Sequence, residues 1–135
     1  MHAFRIAAVY VLTLVTFLAI DAVWLGVIAS AMYKRELGHL LAPNVRWGAA
    51  AVFYLLYVAG VLILVVQPNL DATLARAVLL GALFGLVAYA TYDLTNLATL
   101  KSWPLNVTLI DLAWGAFLTA ATAAAGWTYG RWLLR

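Results

Sequence analysis

The chain has 135 residues, of which 67% are hydrophobic and only 10% charged, against about 25% charged residues in ordinary soluble domains. That composition excludes a soluble globular fold and implies an integral membrane protein, with room for one compact bundle and no separate soluble domain. The net charge of +3 arises from eight Lys or Arg against five acids. The basic residues Arg5, Lys34, Arg35, Arg46, Arg76, Lys101, Arg131 and Arg135 fall at span ends and connections. Side chains so placed snorkel to headgroups, so membrane lipid is an expected partner and nucleic acid is not. The absence of cysteine removes disulfides, thiolate metal sites and thiol catalysis.

Four segments are long and apolar enough to span, at about 20 residues each: 6–32, 47–66, 73–99 and 105–128. The expected fold is therefore all-α, an up-down bundle of four transmembrane helices forming a single domain. The first segment has a basic start at Arg5 and an Ala29-Ser30-Ala31 sequence that resembles a cleavage site. Its apolar run of roughly 27 residues exceeds the 7–15 of a signal core, and it reads as a first transmembrane helix. Pro43, Pro68 and Pro104 fall in or beside the connections, where a missing amide donor does no harm.

Trp47, Trp103, Trp127, Trp132, Tyr33 and Tyr129 cluster near the span ends and are expected to anchor in the headgroup layer. The segment from Lys34 to His39 is expected to meet headgroups as well. With four spans both termini share one side. That side holds Arg5, Arg76, Arg131 and Arg135, while the other holds Lys34, Arg35, Arg46 and Lys101, a tie under the positive-inside rule. The free amino group tips the expectation toward cytoplasmic termini.

The run from Leu86 to Ala98 places Tyr89, Tyr92, Asp93 and Asn96 inside an apolar span. An ionisable group at hydrocarbon depth costs at least about 2.5–3.5 kcal/mol, so Asp93 is expected to face protein or water. At 1.5 Å per residue, Asp93 lies about 12 Å below the surface carrying the first connection and Asp111 about 10 Å below it. Asp21 falls at similar or slightly greater depth. Residues three or four apart share a helix face, which aligns Gly81, Gly85, Tyr89, Tyr92 or Asp93, and Asn96 on the third helix and Thr108, Asp111, Gly115, Thr119, Thr122 and Gly126 on the fourth. On the first, Tyr10, Thr13, Phe17, Asp21, Trp24 and Ile28 align. Tyr54 and Tyr57 of the second helix are the expected hydroxyl partners of the carboxylates. The small residues permit close helix approach, Gly81-x-x-x-Gly85 being a familiar pattern for it.

Asp21-x-x-Trp24 and Asp111-x-x-Trp114 also echo each other, so each of these carboxylates has an indole one turn away. Three carboxylates without a cation at their depth cannot all be ionised without large repulsion. A retained proton, a base reaching down from the interface, or a bound cation must compensate. The bland alternative is that each Asp makes one helix-to-helix hydrogen bond and holds the bundle together.

Two histidines are too few for a His-rich di-iron centre, no Lys lies at mid-membrane for a Schiff base, and no phosphate-cradling loop or Gly-x-Ser-x-Gly elbow occurs. No metal site and no cofactor is assigned, and whether the site is catalytic stays open. Candidate acid, base or ligand-anchoring groups are Asp93, Asp111 and Asp21. Candidate pocket residues are Tyr54, Tyr57, Tyr89, Tyr92, Asn96, Trp24 and Trp114.

Tyr92-Asp93-Leu94-Thr95-Asn96-Leu97-Ala98, then Trp103-Pro104 and Asp111-x-x-Trp114-Gly115, together with Asp21-x-x-Trp24-Leu25 and Phe53-Tyr54-x-x-Tyr57, resembles a family of small bacterial inner-membrane proteins of unknown function. The resemblance covers nearly the whole chain and implies a four-helix protein of the bacterial cytoplasmic membrane. It also implies an association with gene clusters for fatty-acid modification. The expected function is binding of a lipid or small apolar ligand in a carboxylate and aromatic pocket, in the setting of lipid modification. An oligomeric, proton-linked transporter and a structural partner subunit of a membrane complex are the alternatives.

Overall fold

A computed structural model describes all 135 residues, and it is helical throughout, with four helices long and apolar enough to span. α1 runs from His2 to Val23, α2 from Ser30 to Leu37, α3 from Trp47 to Val61, α4 from Leu74 to Thr99 and α5 from Leu105 to Leu134. The spans are α1, α3, α4 and α5, the first extended to Ile28 and the second to Asn69 by irregular turns. The last span is longer at its end than its apolar run suggested, because Trp127, Tyr129 and Arg131 remain helical to Leu134.

The first span does not continue straight to residue 32. Trp24–Ile28 form a wide π-type turn, in which the Ala29 amide reaches back five residues to the Trp24 carbonyl at 2.7 Å. Such turns insert one residue into the helical ladder and redirect the chain beyond them. The chain enters α2 through Ala29, which is buried against the bundle. Leu37 then packs on Trp103 and Val107 at the start of α5. A segment expected to meet headgroups is thus a docked helix, with Arg35 outward and Lys34 exposed at the edge of a cavity beneath it.

α5 is the central helix. It is the most enclosed of the four spans and packs mainly on α4, with α1 on another side. Hydrocarbon is as apolar as leucine, so close van der Waals fit rather than water exclusion holds such helices together. A methyl placed on Gly81 would come within 2.6 Å of the Ala123 Cβ and 2.9 Å of the Thr119 carbonyl. The absence of a side chain there sets the α4–α5 distance. Buried hydroxyls of α1 and α5 are satisfied locally: Thr13 and Thr122 each donate to the carbonyl four residues earlier, at 2.7 Å.

The connection between α3 and α4 is clamped to the end of α5. Trp127 donates to the Asn69 carbonyl at 2.9 Å, Arg131 to the Leu70 carbonyl at 3.1 Å, and Arg135 to Asp71 at 3.0 Å. Thr73 caps α4 by accepting the Arg76 amide at 3.1 Å. At this end α4 packs on the Leu62–Val66 turn. Toward the other end the helical body of α3 and α4 diverge, and Phe84, Tyr57 and Tyr89 occupy the widening gap. Between α4 and α5, Ser102 adopts a left-handed conformation with φ 59°, and the residue after it, Trp103, turns inward to donate to Thr108 at 3.1 Å.

Candidate functional site

The divergence of α3 from α4 places the polar residues of four elements at one level, on the side of the bundle where α2 docks. Asp21, on the inward stripe of α1, accepts from Tyr54 at 2.8 Å and from the Trp114 indole at 3.3 Å. Asp111, on the inward stripe of α5, accepts from Tyr33, whose hydroxyl in turn accepts from the Trp24 indole at 3.1 Å. Trp24 and Trp114 stack with ring centroids 4.3 Å apart and planes 7° from parallel. The two Asp-Trp pairs seen in the sequence are therefore engaged crosswise, each indole serving the carboxylate of the opposite helix. Burial and the hydrogen bond to Asp111 both push the Tyr33 phenol above its usual range, so it remains a neutral donor.

Asp93 differs from both. It is 0% exposed, and neither carboxyl oxygen meets a hydrogen-bond donor. It lies on the face of α4 that packs against α5, where Asp111 is also buried. Two carboxylates are both acceptors, so neither can satisfy the other unless one is protonated.

Two cavities meet at this level. The first, ≈ 460 Å³, lies between α3 and α4 and is lined by Phe53, Tyr57, Ala88, Tyr89, Tyr92 and Asp111. Its rim residues Phe53 and Tyr92 are themselves exposed on the lipid-facing surface. The second, ≈ 390 Å³, lies under α2 and is lined by Leu25, Ser30, Tyr33, Lys34, Leu37, Leu41, Tyr92 and Asp111. Asp111 and Tyr92 belong to both. The cavity at the opposite end, among His2, Gln67 and Arg135, is smaller at ≈ 190 Å³ and has no buried carboxylate.

Residues 6–128 match the family described as predicted membrane protein (DUF2177). The chain belongs to this family. The matched region includes Asp21, Asp93, Asp111 and every residue lining the two central cavities. No curated protein and no solved structure matches the chain. Family membership and the four apolar spans make it an integral membrane protein of unknown function.

Within this family member, the expected site residues separate into three groups. Asp111, Tyr57, Tyr89 and Tyr92 line the first cavity. Asp21, Tyr54, Trp24 and Trp114 form a hydrogen-bonded and stacked cluster beside it. Asp93 lies behind Asp111, and half-buried Asn96, one turn further along, lines neither cavity. The hydroxyl of Tyr57 does not serve a carboxylate; it hydrogen-bonds Thr119 at 2.7 Å, because it sits about one helical turn along α3 from Tyr54, the partner of Asp21.

By sequence Tyr33 and Trp103 belong to the headgroup layer, and the structure turns both inward. Trp103 is 8% exposed, and Tyr33 holds Asp111. By contrast Trp47 and Trp132, each 73% exposed, face outward as interfacial rings do. The signal that separates these cases is faint. Gly26 and the break at Ala29-Ser30 hint that the chain turns back before Tyr33, but periodicity alone continues the helix.

Proposed function

We propose that this protein binds a small molecule with an apolar body, of the lipid-like class, in the cavity between α3 and α4. The supporting observation is the cavity itself: ≈ 460 Å³, walled by Phe53, Tyr57, Tyr89 and Tyr92 and ended by the carboxylate of Asp111. That volume is within the about 300–1,000 Å³ of ordinary ligand sites, which combine an apolar wall with a few convergent polar groups. The exposed rim lets a ligand enter sideways from hydrocarbon. An intramembrane carboxylate at the cavity wall is by default the mark of a site, and Asp111 lines the cavity while also accepting from Tyr33.

Native mass spectrometry of the protein gently extracted from its own membrane tests this. A defined adduct is expected on the parent, and the folded Ala88→Trp variant, whose indole fills the cavity, is expected to lose it. An adduct retained unchanged by that variant places the ligand elsewhere and overturns the reading.

A second reading, proton-linked passage of the ligand, is favoured by one observation. Asp111 and Tyr92 line both the lipid-facing cavity and the cavity under α2, so one carboxylate is reachable from two directions. Vesicles containing the protein are then expected to accumulate ligand when a pH gradient is imposed, and absence of gradient-dependent flux rules passage out.

A further inference from the structure

We propose that the occupant of the α3–α4 cavity is an organic cation, which binds by displacing a proton held by the buried carboxyls Asp93 and Asp111. This rests on the reading of the cavity as a ligand site and adds the charge of the ligand and the ion it exchanges for.

The cavity wall carries four aromatic rings and a carboxylate, and no basic residue. Aromatic faces attract cations through their quadrupole, most strongly where water is scarce. An anion entering here meets the carboxyl of Asp111. A neutral molecule gains hydrogen bonds but no pairing of charge.

The second observation is Asp93. A fully buried carboxyl without any donor is costly unless it is neutral or paired with positive charge. Asp111, buried on the helix that packs against α4, lines the cavity directly. The groups around these carboxyls are Tyr33 and Lys34 from α2, Asp21 from α1 beside Trp114, Tyr57 from α3, and Tyr89 and Tyr92 from α4. Lys34 is the one base among them, and it pairs with no carboxylate; the ion pairs of the chain are Arg35 with Glu36 and Arg135 with Asp71. The carboxyls therefore have no ion-paired counter-ion and are compensated by a proton or by an incoming cation.

The exchange balances. The cation brings one positive charge into the cavity; the O–H bond of the carboxyl that holds the proton breaks, its electron pair stays on the carboxylate, and the proton leaves through the cavity under α2, which Asp111 also lines. Net charge in the site is the same before and after the exchange, so neither end state holds an unpaired intramembrane ion.

The test uses the full chain in lipid nanodiscs with two probes of nearly the same shape: benzyltrimethylammonium, whose charge does not depend on pH, and its uncharged carbon analogue neopentylbenzene. Calorimetric titration in buffers of different ionisation enthalpy counts protons released on binding. The expected result is cation binding with about one proton released per cation, and an affinity rising about tenfold per pH unit while the pair keeps its proton. Asp111→Asn is expected to weaken cation binding at least about tenfold and leave the neutral probe unaffected. If the neutral probe binds as well as the cation, the cavity stands as a ligand site and the cation assignment falls. Cation binding without proton release at any pH overturns the exchange. Failure of both probes to bind counts against the cavity as a ligand site as well.

Discussion

Trp24 and Trp114 lie face to face, 4.3 Å between ring centroids, and each points its indole N–H toward the carboxylate carried by the other's helix. Trp114 reaches Asp21 directly at 3.3 Å. Trp24 reaches Asp111 through the Tyr33 hydroxyl. This crossed arrangement ties α1 to α5 at the depth of the cavity and gives both carboxylates fixed donors. Replacing Trp114 with Phe keeps a ring for stacking and removes only the donor. The expected cost is about 0.6–1.7 kcal/mol, the range measured for interhelical hydrogen bonds in membranes, read from thermal unfolding in detergent. A loss no larger than for Trp132→Phe, at an outward-facing ring, counts against the crossed bonding.

Tyr33→Phe removes the sole donor to Asp111 while leaving the ring in place. A similar cost of about 1–2 kcal/mol is expected, accompanied by loosening of α2. Hydrogen exchange across residues 30–37 provides the readout, and unchanged protection there shows that α2 is held by Leu37 alone.

Asp93 makes the opposite prediction. Because no donor reaches it, replacement by a neutral side chain abandons no hydrogen bond, and removing an unsatisfied buried polar group relieves about 1–3 kcal/mol of desolvation. Asp93→Leu is therefore expected to fold with stability equal to or above the parent while abolishing ligand-linked proton release. A clear fall in unfolding temperature would show that Asp93 is structural after all.

Gly115 leaves room for the Tyr89 ring, which occupies the place a side chain would take. Gly115→Ala is expected to destabilise by about 1–3 kcal/mol, the usual cost of overpacking, and to displace Tyr89 into the cavity. Combining it with Tyr89→Leu restores most of the loss; additive effects in the double variant argue that the two positions do not touch.

The turn between α3 and α4 carries a pH dependence of known sign. The Arg135 guanidinium, through its hydrogen bonds and charge, holds the Asp71 carboxyl below its ordinary value of 3.8. A carboxyl depressed by folding stabilises above its unfolded pKa, and that contribution is lost as pH falls through the folded one. The pair is exposed, so its effect on global stability is small. Local exchange at residues 67–73, corrected for intrinsic rate, is expected to speed up below pH about 4 in the parent and to show no such step in Asp71→Asn.

Much of the bundle is legible in the one-dimensional pattern because hydrocarbon imposes it. A bilayer accepts only backbones whose amides and carbonyls are paired within the segment, so apolar runs of sufficient length must be helices, and Pro68 and Pro104 mark where they stop. The stripe Gly115, Thr119, Thr122 and Gly126 on α5 is buried as its spacing implies. So are Gly81 and Gly85 on α4, because small residues at intervals of three and four have no use on a lipid-facing surface.

The donors and acceptors of the site are less legible. Helical spacing places Asp21, Asp93 and Asp111 at comparable depths, but depth does not choose partners. Tyr54 and Tyr57 are equivalent candidates by sequence; the rotation of α3 gives Asp21 to Tyr54 and turns Tyr57 toward Thr119. Tyr33 lies outside any periodic pattern that includes Asp111.

What the sequence alone determined is location, span number and the inward direction of the carboxylates, since these come from transfer energies summed along the chain and from the helical repeat. The tertiary structure decided which groups meet. The π-type turn at Trp24 swings α2 back so that Tyr33 reaches Asp111, the splay of α3 from α4 opens the cavity, and the close α4–α5 contact buries Asp93 without a donor. Each of these depends on how one helix rotates and tilts against another, a choice made by contacts between residues far apart in the chain, to which the periodicity of a single helix is blind.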